Sequence, residues 1–405
     1  MPGALCPAAL ASRALADVHG KVLPVYTVVE NCQDKFRRRN YTDRGSGGRD
    51  ANFDEDLLGV PDSSGGIRAS CESLASLALP DTTITMAQVV AAGSFSAPGA
   101  REPYKDLPEF CRVAATIRPS SDSDIKVEIW LPASGWNRKL EAVGNGGWAG
   151  VISYSALADS VRAHYASVST DTGHVGGSGS FALGHPEKLA DCSWRSEHEM
   201  TVKAKAVIQA FYGSTPRLSY WNGCSTGGRQ ALKEAQRFPD DFDGIIAGAP
   251  ANRTALAMWV AMAVLKDPDS YIPAEKYPMI HQAVLDACDA RDGVKDGLLE
   301  DPTRCDFKAA TLLCRGADGP NCLTAPQAAA AQKIYTAATN PRTGQELFPS
   351  FTPGTELGWG VFGKGPDPYG NILDQYKYVV FKDPTGTGGR STSMATSRVR
   401  SSRKT

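Results

Sequence analysis

Apolar and polar residues alternate along Ile125-Lys126-Val127-Glu128-Ile129-Trp130-Leu131, the two-residue period of a strand with one face buried. A second apolar run, Leu140 to Val143, leads into Gly144-Asn145-Gly146-Gly147. A third, Tyr165 to Thr170, leads into a glycine-rich loop around His174. Residues 195–212 change period. Met200, Val202, Ala204, Val207, Ile208 and Phe211 have helical spacing. Leu218 to Asn222 predicts a strand, Gly227 to Arg237 a helix, and Phe242 to Pro250 the next strand with its loop. Strands alternating with helices predict an α/β layer structure built on a parallel sheet.

From about Asn252 the texture changes. Helical stretches over 254–265, 274–288 and 325–336 are joined by loops containing Cys, Gly and Pro, and no further strand pattern of the first kind occurs before about Tyr376. This segment reads as an inserted lid domain over the sheet. Residues 33–66 are charged and glycine-rich, with Arg37-Arg38-Arg39 and Gly45-Ser46-Gly47-Gly48, a composition that does not sustain a core. The expected division is a poorly ordered segment 1–66, a catalytic domain 67–251, a lid 252–380 and an aberrant, disordered tail 381–405.

The bulk properties narrow the function classes. The formal net charge of −1 gives no basic surplus for nucleic acid and no acidic block. No apolar run reaches the roughly 18 residues of a membrane span. Ten cysteines without a CxxC pair favour disulfides over structural zinc, and so an oxidising compartment, secreted or periplasmic. Met1 to His19 does not resemble a secretory signal: the start lacks a basic region, and Pro2, Cys6, Pro7, Ser12 and Arg13 interrupt its apolar core.

The candidate chemistry sits at Gly223-Cys224-Ser225-Thr226-Gly227-Gly228, which fits the G-x-S-x-G nucleophile elbow with a strand before it and a helix after it. Small residues flank the serine because the turn is tight. Its hydroxyl would stand at a helix N-terminus, which favours developing negative charge. The Thr226 N–H would be one oxyanion donor. Gly146 and Gly147, on the loop after an earlier strand, are placed to supply another. The alternative is a glycine-rich turn without chemistry. A phosphate loop is excluded by the absence of a Walker lysine.

The run Trp221-Asn222-Gly223-Cys224-Ser225-Thr226-Gly227-Gly228-Arg229-Gln230-Ala231-Leu232, followed by Phe238-Pro239-Asp240-Asp241-Phe242-Asp243-Gly244, resembles the tannase/feruloyl esterase family of α/β-hydrolases. Ser169 to His174, His198 to Lys205 and Cys288 to Cys305 match it too, and the likeness runs from about Cys71 to Pro384. It implies a serine carboxylic ester hydrolase acting on a small-molecule ester of an aromatic acid through an acyl-enzyme. It also implies a disulfide at Cys224, to a cysteine that directly follows the catalytic histidine.

Asp289, Asp292 and Asp296 are spaced at positions 1, 4 and 8 of a turn, with a glycine after each of the last two. On spacing alone this is a solvated acidic turn or a site for a hard cation. The resemblance implies a structural Ca²⁺ held by these carboxylates and by the carbonyls of Val294 and Leu298. Cys288 and Cys305 bracket the loop and are expected to pair, as are Cys314 with Cys322 and Cys71 with Cys111. Cys6, Cys32 and Cys192 have no assigned partner.

In this fold the triad Asp and His follow the serine in chain order. Of six histidines, His19, His164, His174, His185 and His198 precede Ser225, and His281 lies in a helical stretch of the lid. His174 and His185 read as structural loop residues near the mouth of the cleft. The family's tryptophan- and aspartate-rich continuation after Phe381-Lys382-Asp383-Pro384 is replaced by Thr385-Gly386-Thr387-Gly388-Gly389. A single nucleotide string encodes both versions, one base deletion apart. The expectation is therefore a shifted frame near Thr385, with the triad Asp and His, the last two sheet strands and the partner of Cys224 all missing. One sheet edge should then stand unpaired and prone to aggregation. The competing reading is a non-catalytic calcium- or ligand-binding remnant of the same fold.

Overall fold

The computed structural model describes residues 11–16, 22–28, 69–251, 267–340, 342–364, 367–368 and 370–385. The expected helix over 254–265, the glycine-rich stretch 33–66 and residues 386–405 lie outside them, as do His19, Cys6 and Cys32.

A nine-stranded sheet organises the first part of the chain. Its strands are β1 (Ala11–Ala16), β2 (Val22–Val28), β3 (Thr82–Val90), β4 (Phe110–Ile117), β5 (Ile125–Pro132), β6 (Lys139–Val143), β7 (Ala166–Thr170), β8 (Leu218–Cys224) and β9 (Gly244–Gly248), in the spatial order β1-β2-β9-β8-β6-β7-β5-β4-β3. The centre is parallel: β7 with β6, β6 with β8, β8 with β9 and β9 with β2. β3, β4, β5 and β7 run antiparallel to one another in turn. Helices α1 (Tyr154–Arg162), α2 (Pro186–Ala190), α3 (Ser196–Tyr212) and α4 (Thr226–Arg237) fill the connections. Parallel strands require such crossovers.

Successive residues of β5 serve opposite faces, as the pleat dictates. Ile129 joins one core with Leu140, Val168 and Trp221, and with Met200 and Val207 of α3. Its neighbour Trp130 joins another with Phe110 and Val143, and with Leu157 and Val161 of α1. The sheet is therefore covered on both faces, which explains why β7 is buried along its whole length.

Three features differ from the sequence reading. Segment 1–66 contributes two strands: Val25–Val28 of β2 lies in parallel register with Ile245–Gly248 of β9. Val22, Val25, Tyr26, Thr27 and Val28 supply the strand propensity. β9 is thus flanked by β2 and β8 and is not an edge of the sheet. β3 and β4 join the sheet ahead of β5, where no strand was expected. The stretch around Tyr376 is helical, Gly370–Asp374 running on into Gln375–Val380. There the buried Tyr376 packs with Val380 and Phe381 in a helix-based core.

The chain divides into two compact units, one ending at Gly177 and resuming over Gly184–Pro250, the other comprising Ser178–Leu183 and everything from Ala251. The short excursion is held in the second unit by Asp374, whose Oδ2 accepts from Ser178 Oγ at 2.7 Å and from the Gly179 N–H at 2.8 Å. The second unit's core gathers Ile280 and Val284 of the helix Tyr277–Cys288, Ala331 of the helix Ala325–Ile334, and Trp359. Thr324 and Gln327 close a capping box on the latter helix. Disulfides Cys288–Cys305 and Cys314–Cys322 cross this unit, and Cys71–Cys111 ties the segment before β3 to β4.

Candidate active site

The strand-to-helix junction at Ser225 holds a non-glycine residue in the positive-φ region. β8 ends at Cys224, α4 begins at Thr226, and Ser225 between them has φ 59° and ψ −114°. An L-residue enters that region only under constraint, at a cost on the order of 1–3 kcal/mol. The constraint is visible. The Ser225 N–H donates to the Gly248 carbonyl at 2.9 Å, and its own carbonyl accepts from the Arg229 N–H at 3.0 Å. The bend projects the side chain outward, and Ser225 is exposed.

Close approach requires glycine on both sides of α4. A Cβ on Gly228 would lie 2.2 Å from the Gly248 oxygen, and one on Gly144 2.6 Å from Gly227 Cα. The second contact brings the loop after β6 against the first turn of α4. The Gly227 N–H donates to the Asn145 carbonyl at 2.8 Å, and Thr226 Oγ1 donates to the Gly147 carbonyl at 3.0 Å. Among the described residues the N–H groups of Gly146, Gly147 and Thr226 have no acceptor. Free amide protons on a loop and at a helix N-terminus beside an exposed serine are the raw material of an oxyanion hole.

The same loop is braced from below. His174 is buried; Trp148 O lies 2.8 Å from its Nε2 and Thr172 Oγ1 3.2 Å from its Nδ1. Burial lowers the pKa of its imidazole, which favours a neutral ring in a structural role. Asp171 is buried and pushed up to about 6 by desolvation, although the N–H groups of Gly173 and Lys126 both donate to its Oδ1 at 2.9 Å.

Comparison with known proteins gives this geometry a lineage. The profile described as "Tannase and feruloyl esterase" matches residues 111–364. The chain belongs to the tannase and feruloyl esterase family. An esterase of Xanthomonas campestris pv. campestris is 40% identical over 335 residues, covering 79% of this chain and 58% of that protein. A probable feruloyl esterase B-1 of Aspergillus fumigatus is 37% identical over 282 residues, 68% of this chain and 53% of that one. The chain therefore spans a little over half the length of these curated relatives. Among solved structures, feruloyl esterase B from Aspergillus oryzae superposes with a TM-score of 0.74 at 30% identity, over 81% of this chain and 67% of that one. Tannin acyl hydrolase from Aspergillus niger gives 0.61 at 25%, over 76% and 62%.

Within this family member no described histidine hydrogen-bonds Ser225. His185 faces Asp122 at 3.1 Å on the surface. His198 meets Asp241 at 2.7 Å and stacks on Phe238; the Asp241 loop leads into the start of β9, the sheet edge opposite Ser225. His281 is bonded to the buried Glu356 at 2.8 Å in the second unit. His174 is buried under the loop rather than placed at the mouth of a cleft. Cys224 is disulfide-bonded, and none of the three bridges between described cysteines includes it. The expectation that it lacks a partner is corrected.

Asp289, Asp292, Val294, Asp296 and Leu298 lie on one turn of the second unit, bent at Gly293 (φ 97°) and Gly297 (φ 81°). The buried Asp289 carboxylate accepts from the Gly297 N–H at 3.1 Å; Asp292 and Asp296 accept from the N–H groups of Val294 and Leu298. Val294 and Leu298 leave their side chains exposed, so the loop is shaped by its backbone and carboxylates, not by packing. The three carboxylates do not converge within 4.8 Å of one another; Cys314, Asp318 and Cys322 do, but both sulfurs there are in the disulfide.

Sequence reasoning missed a buried polar network behind the loop. Gln230 Oε1 accepts from the Asn145 N–H at 3.0 Å, while its Nε2 donates to Asn145 Oδ1 at 3.1 Å and to Glu197 Oε1 at 2.6 Å. A signal was present: Gln230 and Glu234 fall among Gly227, Ala231 and Ala235 on the buried face of α4, where an unpaired polar group would be costly.

Proposed function

We propose that the protein is a carboxylic ester hydrolase in which Ser225 attacks esters of aromatic acids. One observation carries the reading: an exposed serine on a strained strand-to-helix bend, with unbonded N–H groups of Thr226, Gly146 and Gly147 gathered at the same sheet edge. Ser225 Oγ forms a bond to the ester carbonyl carbon, and the oxyanion is received by those amides. Collapse expels the alcohol and leaves an acyl-serine, which water hydrolyses to release the aromatic acid and regenerate the hydroxyl. The family names two acyl classes, feruloyl and tannin-type esters, and the substrate belongs to that aromatic range. The disulfides accord with a secreted or periplasmic protein.

The proton on Ser225 needs an acceptor, and none of the described histidines reaches it. Among the described residues the site thus shows a nucleophile and oxyanion donors without a histidine base, which favours a second reading, a non-catalytic calcium- or ligand-binding member of the same fold. Removing triad members leaves only modest residual catalysis. The second unit's loop is proposed to take up Ca²⁺ on Asp289, Asp292 and Asp296 with the Val294 and Leu298 carbonyls. The all-oxygen donor set suits that ion, which would supply structural closure and no chemistry.

Hydrolysis of methyl and p-nitrophenyl esters of aromatic acids tests the reading. A rate close to the uncatalysed one supports the second reading. Robust turnover abolished by Ser225→Ala would show that a base is present; robust turnover surviving that substitution would remove Ser225 from the mechanism.

A further inference from the structure

We propose that Gln230 is a positioning residue for the oxyanion loop, its carboxamide clamping Asn145 so that the following amides, Gly146 and Gly147, stay aimed over Ser225. The inference rests on reading 144–147 as that loop.

Asn145 is almost fully enclosed, at 7% exposure, and every polar atom it owns is committed. Its N–H and Oδ1 both go to Gln230. Its Nδ2 donates to Thr170 O at 2.8 Å and to Val151 O at 3.1 Å, and its carbonyl accepts from Gly227. The residue therefore joins the end of β7, the far side of its own loop and the first turn of α4. Gln230 holds the two groups of Asn145 that those contacts leave over, and is itself held by Glu197 on α3. It is 1% exposed and leaves no side-chain atom unbonded. Gln230 stands five residues after Ser225 on the helix the serine begins. The clamp thus ties the proposed donor loop to the element that carries the nucleophile, from the side away from substrate.

A paired-amide clasp of this kind is direction-specific. A carboxylate at 230 could accept from the Asn145 N–H but could not donate to Oδ1. A thioether of similar volume could do neither.

The test is hydrogen exchange, resolved to single amides, on the full chain, together with titration of phenylboronic acid, which forms a tetrahedral adduct with a nucleophilic serine. Gln230→Met should accelerate exchange across Gly144 to Ala149 by about tenfold, the scale of one or two lost hydrogen bonds, with β5 and β9 unchanged. It should also weaken the boronate adduct about tenfold. Unchanged exchange in the loop, or acceleration spread evenly over the molecule at unchanged melting temperature, overturns the clamp. Should Gln230→Met fail to fold, the wild-type chain still decides: the Asn145 amide must exchange far more slowly than those of Gly146 and Gly147, and equal rates overturn the proposal. Loop-local acceleration with no boronate binding even to wild type supports the clamp and counts against the nucleophile instead.

Discussion

Glu234 shows most directly how single residues store a cost in this fold. It has no exposed surface, and both of its carboxyl oxygens are buried. Burial, and then the negative neighbours Glu197 and Asp241, push its pKa up to about 10. The unfolded chain releases this proton near the ordinary carboxylate value, so the folded state holds one more proton through the interval between. The group's contribution to stability is complete below about pH 4.5 and declines as pH rises toward 10. Glu234→Gln should remove that dependence, leaving the variant flatter than wild type between pH 5 and 9 in urea unfolding. Parallel profiles would show that Glu234 does not titrate this way. Asp171 adds the same sign over a narrower window. At this scale the sequence was partly legible. Ser225 and its flanking glycines stand out because tight turns demand small residues, and Gln230 shows only by its place on the small-residue face of α4, whereas Asn145 does not stand out, because a satisfied buried amide looks like any surface one until its partners are known.

The elements that read most clearly are those with one dominant period. β5 alternates, β6 and β7 are short apolar runs bounded by glycine, and α3 repeats its apolar residues at helical spacing. β3 is harder, since Thr82-Thr83-Ile84-Thr85-Met86-Ala87-Gln88 keeps only a partly buried face at the edge of the sheet, and edge strands carry weaker patterning. β2 is masked by Pro24, which cannot donate to a ladder; its register with β9 begins one residue later, at Val25. The aspartate turn makes its own prediction at this scale. If it closes on a cation, Ca²⁺ well above its dissociation constant should raise the melting temperature by about 5 °C, since binding at a hundredfold excess adds about 2.7 kcal/mol. EGTA should reverse the shift and Asp289→Asn should abolish it; an unchanged melting curve at millimolar Ca²⁺ would mean the loop binds none.

For the molecule as a whole, two compact units share one chain, and the described disulfides stay within units: one beside the sheet and two in the helix-based part. Among the described residues no helix is long and apolar enough to cross a membrane. Family membership fixes the scaffold, while the acyl group is chosen by side chains that no period or motif announces. The central claim is that the hydroxyl at 225 is the reactive one. Prolonged exposure of the chain to a fluorophosphonate, followed by peptide mass spectrometry, tests it without depending on rate. The account predicts one adduct, on Ser225, lost in Ser225→Ala; an adduct on a different serine, or none, would contradict it.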